Sequence, residues 1–502
     1  MTSSWNNILH TALLGTGKQP LRPEELGEDL SPIAAQIDTS TQDKEEKFLQ
    51  IAALAFNYRQ AGFIPQRNES AQLSKPAAED KPYCSPQAMQ ALAGILEEEN
   101  TSLFALWLQL CRDSGQLARP EILPTLLQLG ITHKHLREDI LTCGGQRARW
   151  LATLNPDWST LPASEDTAEQ QWQTGTPEQR REVLQQLHKS DPAKALQWLQ
   201  ATWAHEDINS KIDLLRALSA NAGPIDLPFL EDLLGDKSKK IREEVTLLLK
   251  KIPSSSLIGQ YSAALQQRLK LKKEKSLLGM LSKTTLEVAP PADGQELSPT
   301  LVQSGIEKLS NRKEFSDEEF ICYQLMSYIP LDFYTTLWQK TPEEVVKLFN
   351  DDPLGKKLIP ALVLSTVHFA EPKHAVPLMQ FSSTFYLDLL PLLQPRQQEY
   401  YSNKFFATSP DAIIQYSTRR QTEWGLELTE SIFRHVSKDS YRYNRTFFNK
   451  IVTLIPVGAA ALLDKVQSDV ISTGGVGAWA SISNAIRKLL QLKTQTIQAF
   501  NK

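Results

Sequence analysis

Apolar residues recur at three- and four-residue steps along most of the chain, the period of an amphipathic helix. Strict alternation of apolar and polar residues nowhere persists long enough to argue for a sheet. The helical pattern is clearest in residues 176–258, where it predicts at least five short helices in close succession. Thr176-Pro177 and Asp191-Pro192 each place a capping side chain before a proline at the first helical position. Asp207, Asp226 and Ser238 are further cap candidates. Thr176 to Asp207 and Asp207 to Ser238 are both steps of 31 residues, one helix pair per step. Known two-helix repeats run somewhat longer, at ~33–47 residues. Ile208, Ile212, Leu215 and Leu218 form one apolar stripe, and Ile241, Val245, Leu248 and Ile252 another. A helix pair of this kind buries its apolar face by stacking on the next pair. The expectation is a right-handed stack of two to three pairs, with Trp198 and Trp203 filling the space between helices.

The flanks are helical but irregular. Trp5, Ile8, Leu9, Ala12 and Leu13 predict a first helix ending near Gly15-Thr16-Gly17, and Phe48 to Tyr58 predict a second. The stretch 62–86 is polar and proline-rich, a loop, after which Ser85-Pro86 opens another capped helix. Residues 284–299 have the composition of a linker or long loop. Beyond them Ser316-Asp-Glu-Glu319 and Thr341-Pro342-Glu-Glu344 have capping-box spacing. The fold class predicted is therefore all-α: a HEAT-like αα-repeat stack at 171–283, joined through 284–299 to a helical domain at 300–502, and preceded by a helical domain at 1–170.

Composition changes this picture little. The chain has 502 residues, 41% hydrophobic and 22% charged, which is ordinary for a globular protein of two or three domains. A net charge of −4 leaves any polyanion-binding role to a local patch. Cys84, Cys111, Cys143 and Cys322 contain no CxxC pair and suit reduced structural thiols. The N-terminus lacks a signal-peptide pattern. The longest apolar run, 451–463, is broken by Thr453 and Pro456 and falls short of the ~18–20 residues of a spanning helix. The expected location is the cytoplasm.

Candidate chemistry is sparse. Gly15-Thr16-Gly17-Lys18 fails as a phosphate loop, because Ala12 and Gln19 stand where Gly and Ser or Thr are required. Gly474-Gly-Val-Gly477 has no preceding strand, as a dinucleotide site needs. His133 and His135 at i, i+2 point to different faces of a helix. Glu343-Glu344 serve a helix N-terminus, and His368 and His374 have no Cys or carboxylate cluster beside them in the sequence. No catalytic, cofactor-binding or metal-binding residue is assigned. The one charged feature is a basic run, with twelve Lys or Arg against three Glu between Lys237 and Lys283. Its candidate partner-binding residues are Lys237, Lys239, Lys240, Arg242, Arg268, Lys270, Lys272, Lys273 and Lys275. No aromatic residue interrupts 262–283, so stacking with single-stranded bases gains no support and an acidic protein partner is favoured over nucleic acid.

Several stretches together resemble one bacterial family. They are Asp191-Pro192, Thr202-Trp203, Ile225-Asp226-Leu-Pro-Phe229-Leu230-Glu231, Leu234-Gly-Asp236-Lys-Ser238, Ile241-Arg242 and Ile252-Pro253-Ser-Ser-Ser256-Leu257. Ala12-Leu-Leu-Gly-Thr16 and Gly145-Gln-Arg147-Ala-Arg-Trp150-Leu151 are similar to its N-terminal motifs, so the likeness covers roughly residues 5–260. The family is a domain-of-unknown-function family often encoded beside MoxR-type AAA+ ATPases, VWA-domain proteins and SWIM zinc-finger proteins. The resemblance implies a non-enzymatic scaffold or adaptor working with an AAA+ ATPase and a VWA-domain protein. The alternative is a helical-repeat nucleic-acid-binding protein or HEAT-like DNA glycosylase using 237–283.

Overall fold

The computed structural model describes residues 2–61, 75–159, 161, 167–275, 282–291, 296–382, 384–439, 441–472 and 478–501. The glycine run at 474–477, the loop residues 62–74 and part of the stretch 284–299 fall outside them. The chain is all-α, apart from one small two-stranded sheet among the described residues. It divides into two compact units, Met1–Pro76 and Ala77–Lys502.

In the first unit, helices Thr2–Leu14, Ser31–Ser40 and Lys44–Ala61 enclose Ile8, Leu26, Leu30, Ala34, Ile51 and Ala55. The first helix stops at Gly15, whose positive φ of 89° suits a residue without Cβ and whose N–H still bonds the Thr11 carbonyl.

In the second unit, the capping signals translate directly into helix starts. The Ser85 hydroxyl accepts the Ala88 amide, and Asp191 and Asp207 cap the helices Pro192–Trp203 and Ile208–Leu218. Thr176, Ser316 and Thr341 form reciprocal capping boxes with Gln179, Glu319 and Glu344. Two expected caps differ. Ser238 stands at the N-cap of Lys239–Leu249, but its side chain makes no capping bond. Asp226 is fully buried in a short 3-10 turn, where it accepts the Gly223 amide at 2.8 Å and meets His188 Nε2 at 2.9 Å. Of the stripe on Ile208–Leu218, Leu215 and Leu218 are buried while Ile208 is half exposed.

Three apolar cores hold this unit. A small one gathers Trp172, Leu184, Leu199 and Leu218 from the helices between 168 and 218. A second runs from Leu215 to Tyr401 through Tyr261, Tyr334 and Phe349. The third joins residues 84–161 with 406–500, and Trp107 meets Phe500 edge-to-face at 5.6 Å in it. Segments distant in sequence thus share one interior.

The sheet departs from expectation. Leu269–Lys275 (β1) and Ser282–Val288 (β2) pair antiparallel, Leu269 opposite Val288. The alternation Leu269-Lys270-Leu271-Lys272 turns the leucines inward against Leu286 and the lysines outward. The run is too short to stand out from a basic helix end in the sequence alone. Residues 284–288, assigned by composition to a linker, are strand. Asp352 ties the hairpin to the helical body: one carboxylate oxygen accepts the Leu286 amide at 3.2 Å and the other the Gly355 amide at 2.8 Å.

Candidate functional site

An open groove of about 690 Å³ lies between residues 253–262 and 330–337, with Phe369 and Glu371 also lining it. Two helices and the turn before a third build it. Ser256–Arg268 is started by Ser255, whose hydroxyl accepts the Ile258 amide at 3.3 Å. Asp332–Trp338 follows the Pro330 turn, and Pro372–Phe381 opens immediately after Glu371. His368 pins two sides together by donating from Nε2 to the Lys250 carbonyl at 2.7 Å. Burial lowers the His368 pKa, so the ring is a neutral donor. Burial also lowers the Lys250 amine, which stands 4.5 Å from the centre of the Tyr328 ring. The groove walls combine Ile258, Phe333, Leu337 and Phe369 with hydroxyls of Ser254, Ser262 and Thr336, and its charged lining residues are Asp332 and Glu371.

Behind these carboxylates stands His374, fully buried. Its Nε2 is 3.0 Å from Asp332 Oδ1 and 3.9 Å from Glu371 Oε1. Among the described residues, these three form a group of metal-ligand-type side chains whose ligand atoms all lie within 4.8 Å of one another. The remaining oxygens have other partners: Lys373 Nζ donates to Asp332 Oδ2 at 2.6 Å, and the Leu331 amide to Glu371 Oε2 at 3.2 Å. Burial lowers the His374 pKa and raises that of Glu371, whose carboxyl also feels the neighbouring Asp332 charge. Burial opposes ionisation of Asp332 too, but Lys373 and His374 outweigh it and hold that carboxyl below its usual range.

This convergence corrects the expectation that His374 has no carboxylate cluster beside it. One signal was available: Glu371 and His374 are three residues apart, one helical turn. Asp332 is 42 positions from His374 and reaches it only through the fold. His133, by contrast, precedes a short 3-10 turn that contains His135, and their rings are 6.2 Å apart.

The basic run is dispersed. Lys237, Lys239 and Lys240 are exposed, and Lys239 reaches Glu243 at 3.6 Å. Arg242 donates to the Asp236 and Lys237 carbonyls. Arg268 is buried, bonding Glu318 at 3.1 Å and the Ala264 carbonyl. Lys270, Lys272 and Lys273 face solvent on β1, with Lys272 beside Glu287 at 3.6 Å. The Lys275 side chain lies outside what the structure describes. None of these nine residues lines the groove.

A family model matches residues 7–500, nearly the whole chain, and its description is a family of unknown function, DUF5691. The chain belongs to this family. No curated protein and no solved structure matches it. The match extends well past residue 260, so the 300–502 region that forms two walls of the groove belongs to the family's domain as well. Membership of DUF5691 assigns no residue a role, and the site rests on its geometry. Among the described residues, no helix is long and apolar enough to cross a membrane.

Proposed function

We propose that the protein is a non-enzymatic scaffold or adaptor that holds a segment of a protein partner in the groove between residues 253–262 and 330–337. The observation that carries this is the groove itself: open, walled by apolar side chains, acidic at one end, and built on helices anchored in a large core. Such a surface suits a segment presenting apolar side chains and a basic residue. The sequence resemblance supplies the partner class, a MoxR-type AAA+ ATPase with a VWA-domain protein, acting in the bacterial cytoplasm. The HEAT-like repeat expected at 171–283 would fit the same role, since stacked pairs offer long binding surfaces.

The separation of the basic residues from the groove supports a protein partner over nucleic acid. A DNA glycosylase needs a cationic face around an aromatic pocket, whereas the charged groups here are carboxylates. Co-purification from the native host tests the proposal. Tagged wild-type protein is expected to retain the ATPase or VWA-domain protein, and Leu337→Asp, which places a charge on the groove wall, to lose it about tenfold or more. Recovery of neither partner, or equal recovery by the variant, would reject the reading. Fluorescence anisotropy with duplex and single-stranded DNA at physiological salt should show no binding, and submicromolar affinity would revive the nucleic-acid alternative.

A further inference from the structure

We propose that Asp332, Glu371 and His374 form a binding site for one divalent transition cation, Zn²⁺ or Mn²⁺, at the acidic end of the groove.

Three observations carry it. The first is donor chemistry: one imidazole nitrogen and two carboxylates make a mixed N/O set suited to borderline divalent cations, with Mn²⁺ favoured by the oxygens and Zn²⁺ by the ring. The second is spacing. Ligand atoms about 2.1 Å from one cation stand about 3.0–3.4 Å from each other. Asp332 Oδ1 and Glu371 Oε1 are 3.0 Å and 3.9 Å from His374 Nε2, and the three ligand atoms all lie within 4.8 Å of one another, so closing on an ion asks for a movement of about 1–1.5 Å, mainly of the Glu371 carboxylate toward Asp332. The third is the surrounding shell. Each carboxylate has one oxygen held by another group, Lys373 on Asp332 and the Leu331 amide on Glu371, and turns its second oxygen toward the imidazole. That division of oxygens is how metal-binding carboxylates are usually oriented. His374 sits on the Pro372–Phe381 helix one turn beyond Glu371, and its full burial fixes the ring direction.

Three protein ligands leave further coordination positions. Asp332 and Glu371 both line the groove, so those positions open toward it and are filled by water or by a group of a bound segment. Lys373 is the competing cation. Its ammonium is half exposed and bonds the outer oxygen of Asp332, neutralising part of the charge that a metal would meet.

Calorimetric titration of the chelator-treated full chain with ZnCl₂ and MnCl₂, with MgCl₂ and CaCl₂ as comparison, tests the site. One Zn²⁺ or Mn²⁺ per chain is expected, with an accompanying rise in melting temperature. Asp332→Asn and Glu371→Gln should each weaken binding at least about tenfold. Both keep side-chain shape, so their circular dichroism and metal-free melting should stay near wild type, which His374 substitutions do not guarantee. Absence of saturable binding, or unchanged affinity in folded Glu371→Gln and Asp332→Asn, would each overturn the assignment. None of these outcomes depends on recovering a protein partner, so the site and the scaffold reading stand or fall separately.

Discussion

At the scale of single residues, the buried polar groups decide where the fold is sensitive. Lys493 is 2% exposed, and its ammonium donates to Glu423 at 2.6 Å and to the carbonyls of Thr453 and Ile455 at 2.9 and 2.6 Å. All three donors are used, so burial of the charge is compensated. Lys493→Ala leaves two carbonyls without their donor and opens a cavity where the buried side chain lay, and urea denaturation should show a loss of about 2–4 kcal/mol. The histidines set a pH dependence. Burial holds both His368 and His374 below the ordinary value near 6.5. Above that value neither folded nor unfolded imidazole is charged, and the stability they allow is fully present. Below it the unfolded chain takes up protons that the folded chain refuses, so stability falls as the pH drops. Glu371, raised by burial, works in the opposite sense. Melting temperatures measured from pH 7.5 to 5.5 should therefore decline less steeply in His368→Gln than in wild type, and parallel curves would exclude the His368 contribution.

At the scale of elements, what could be foreseen follows the range of the interaction. Helix starts depend on three or four consecutive residues, so Thr176-Pro177, Asp191-Pro192, Ser316-Glu319 and Thr341-Glu344 were legible and are present as capped helices. The hairpin was not, because the register of β1 is set by its partner strand and by Asp352 some 64 residues beyond β2's end. Asp352 joins β2 to the helix Pro353–His368 through two amides, those of Leu286 and Gly355. Asp352→Ala should lower stability by about 1–3 kcal/mol through the lost cap and the orphaned amide. Hydrogen exchange at Leu286 should accelerate in the same variant, and unchanged protection there would refute Asp352 as the hairpin's anchor. Gly355 explains why this corner is tight. A Cβ there would fall 2.3 Å from the Phe349 carbonyl oxygen, and backbone cannot yield as a flexible side chain does. The candidate metal ligands divide along the same line: Glu371 and His374 share a helical turn, whereas Asp332 depends on how two helices pack.

At the scale of the whole molecule, the third core places a demand on the chain that no local pattern reveals. Residues 84–161 and 406–500 interleave in one interior, while the buried apolar residues described between them belong to the other two cores. The last helix, Ala478–Phe500, lies at the centre of this arrangement. Trp479, Ile486, Leu489 and Leu490 are buried along it, Leu492 packs under Gly94, and Phe500 covers Trp107. Asn100 and Ser102 add bonds to the carbonyls of Asn449 and Lys450, and Arg445 and Lys488 both reach Glu98. Burial of even four such apolar side chains is worth several kcal/mol at about 1.5–3 kcal/mol each, comparable to the net stability of a domain. Truncation after residue 477 should therefore do more than remove a helix. It should expose Trp107, red-shift the tryptophan emission and abolish the cooperative melting of residues 84–161, even though their own sequence is intact. Limited proteolysis of the truncated chain is expected to cut within 84–161 at sites protected in the full-length protein. Retention of the wild-type protection pattern would show that residues 84–161 fold without their distant partner, and the shared core would then be a contact between two independent domains.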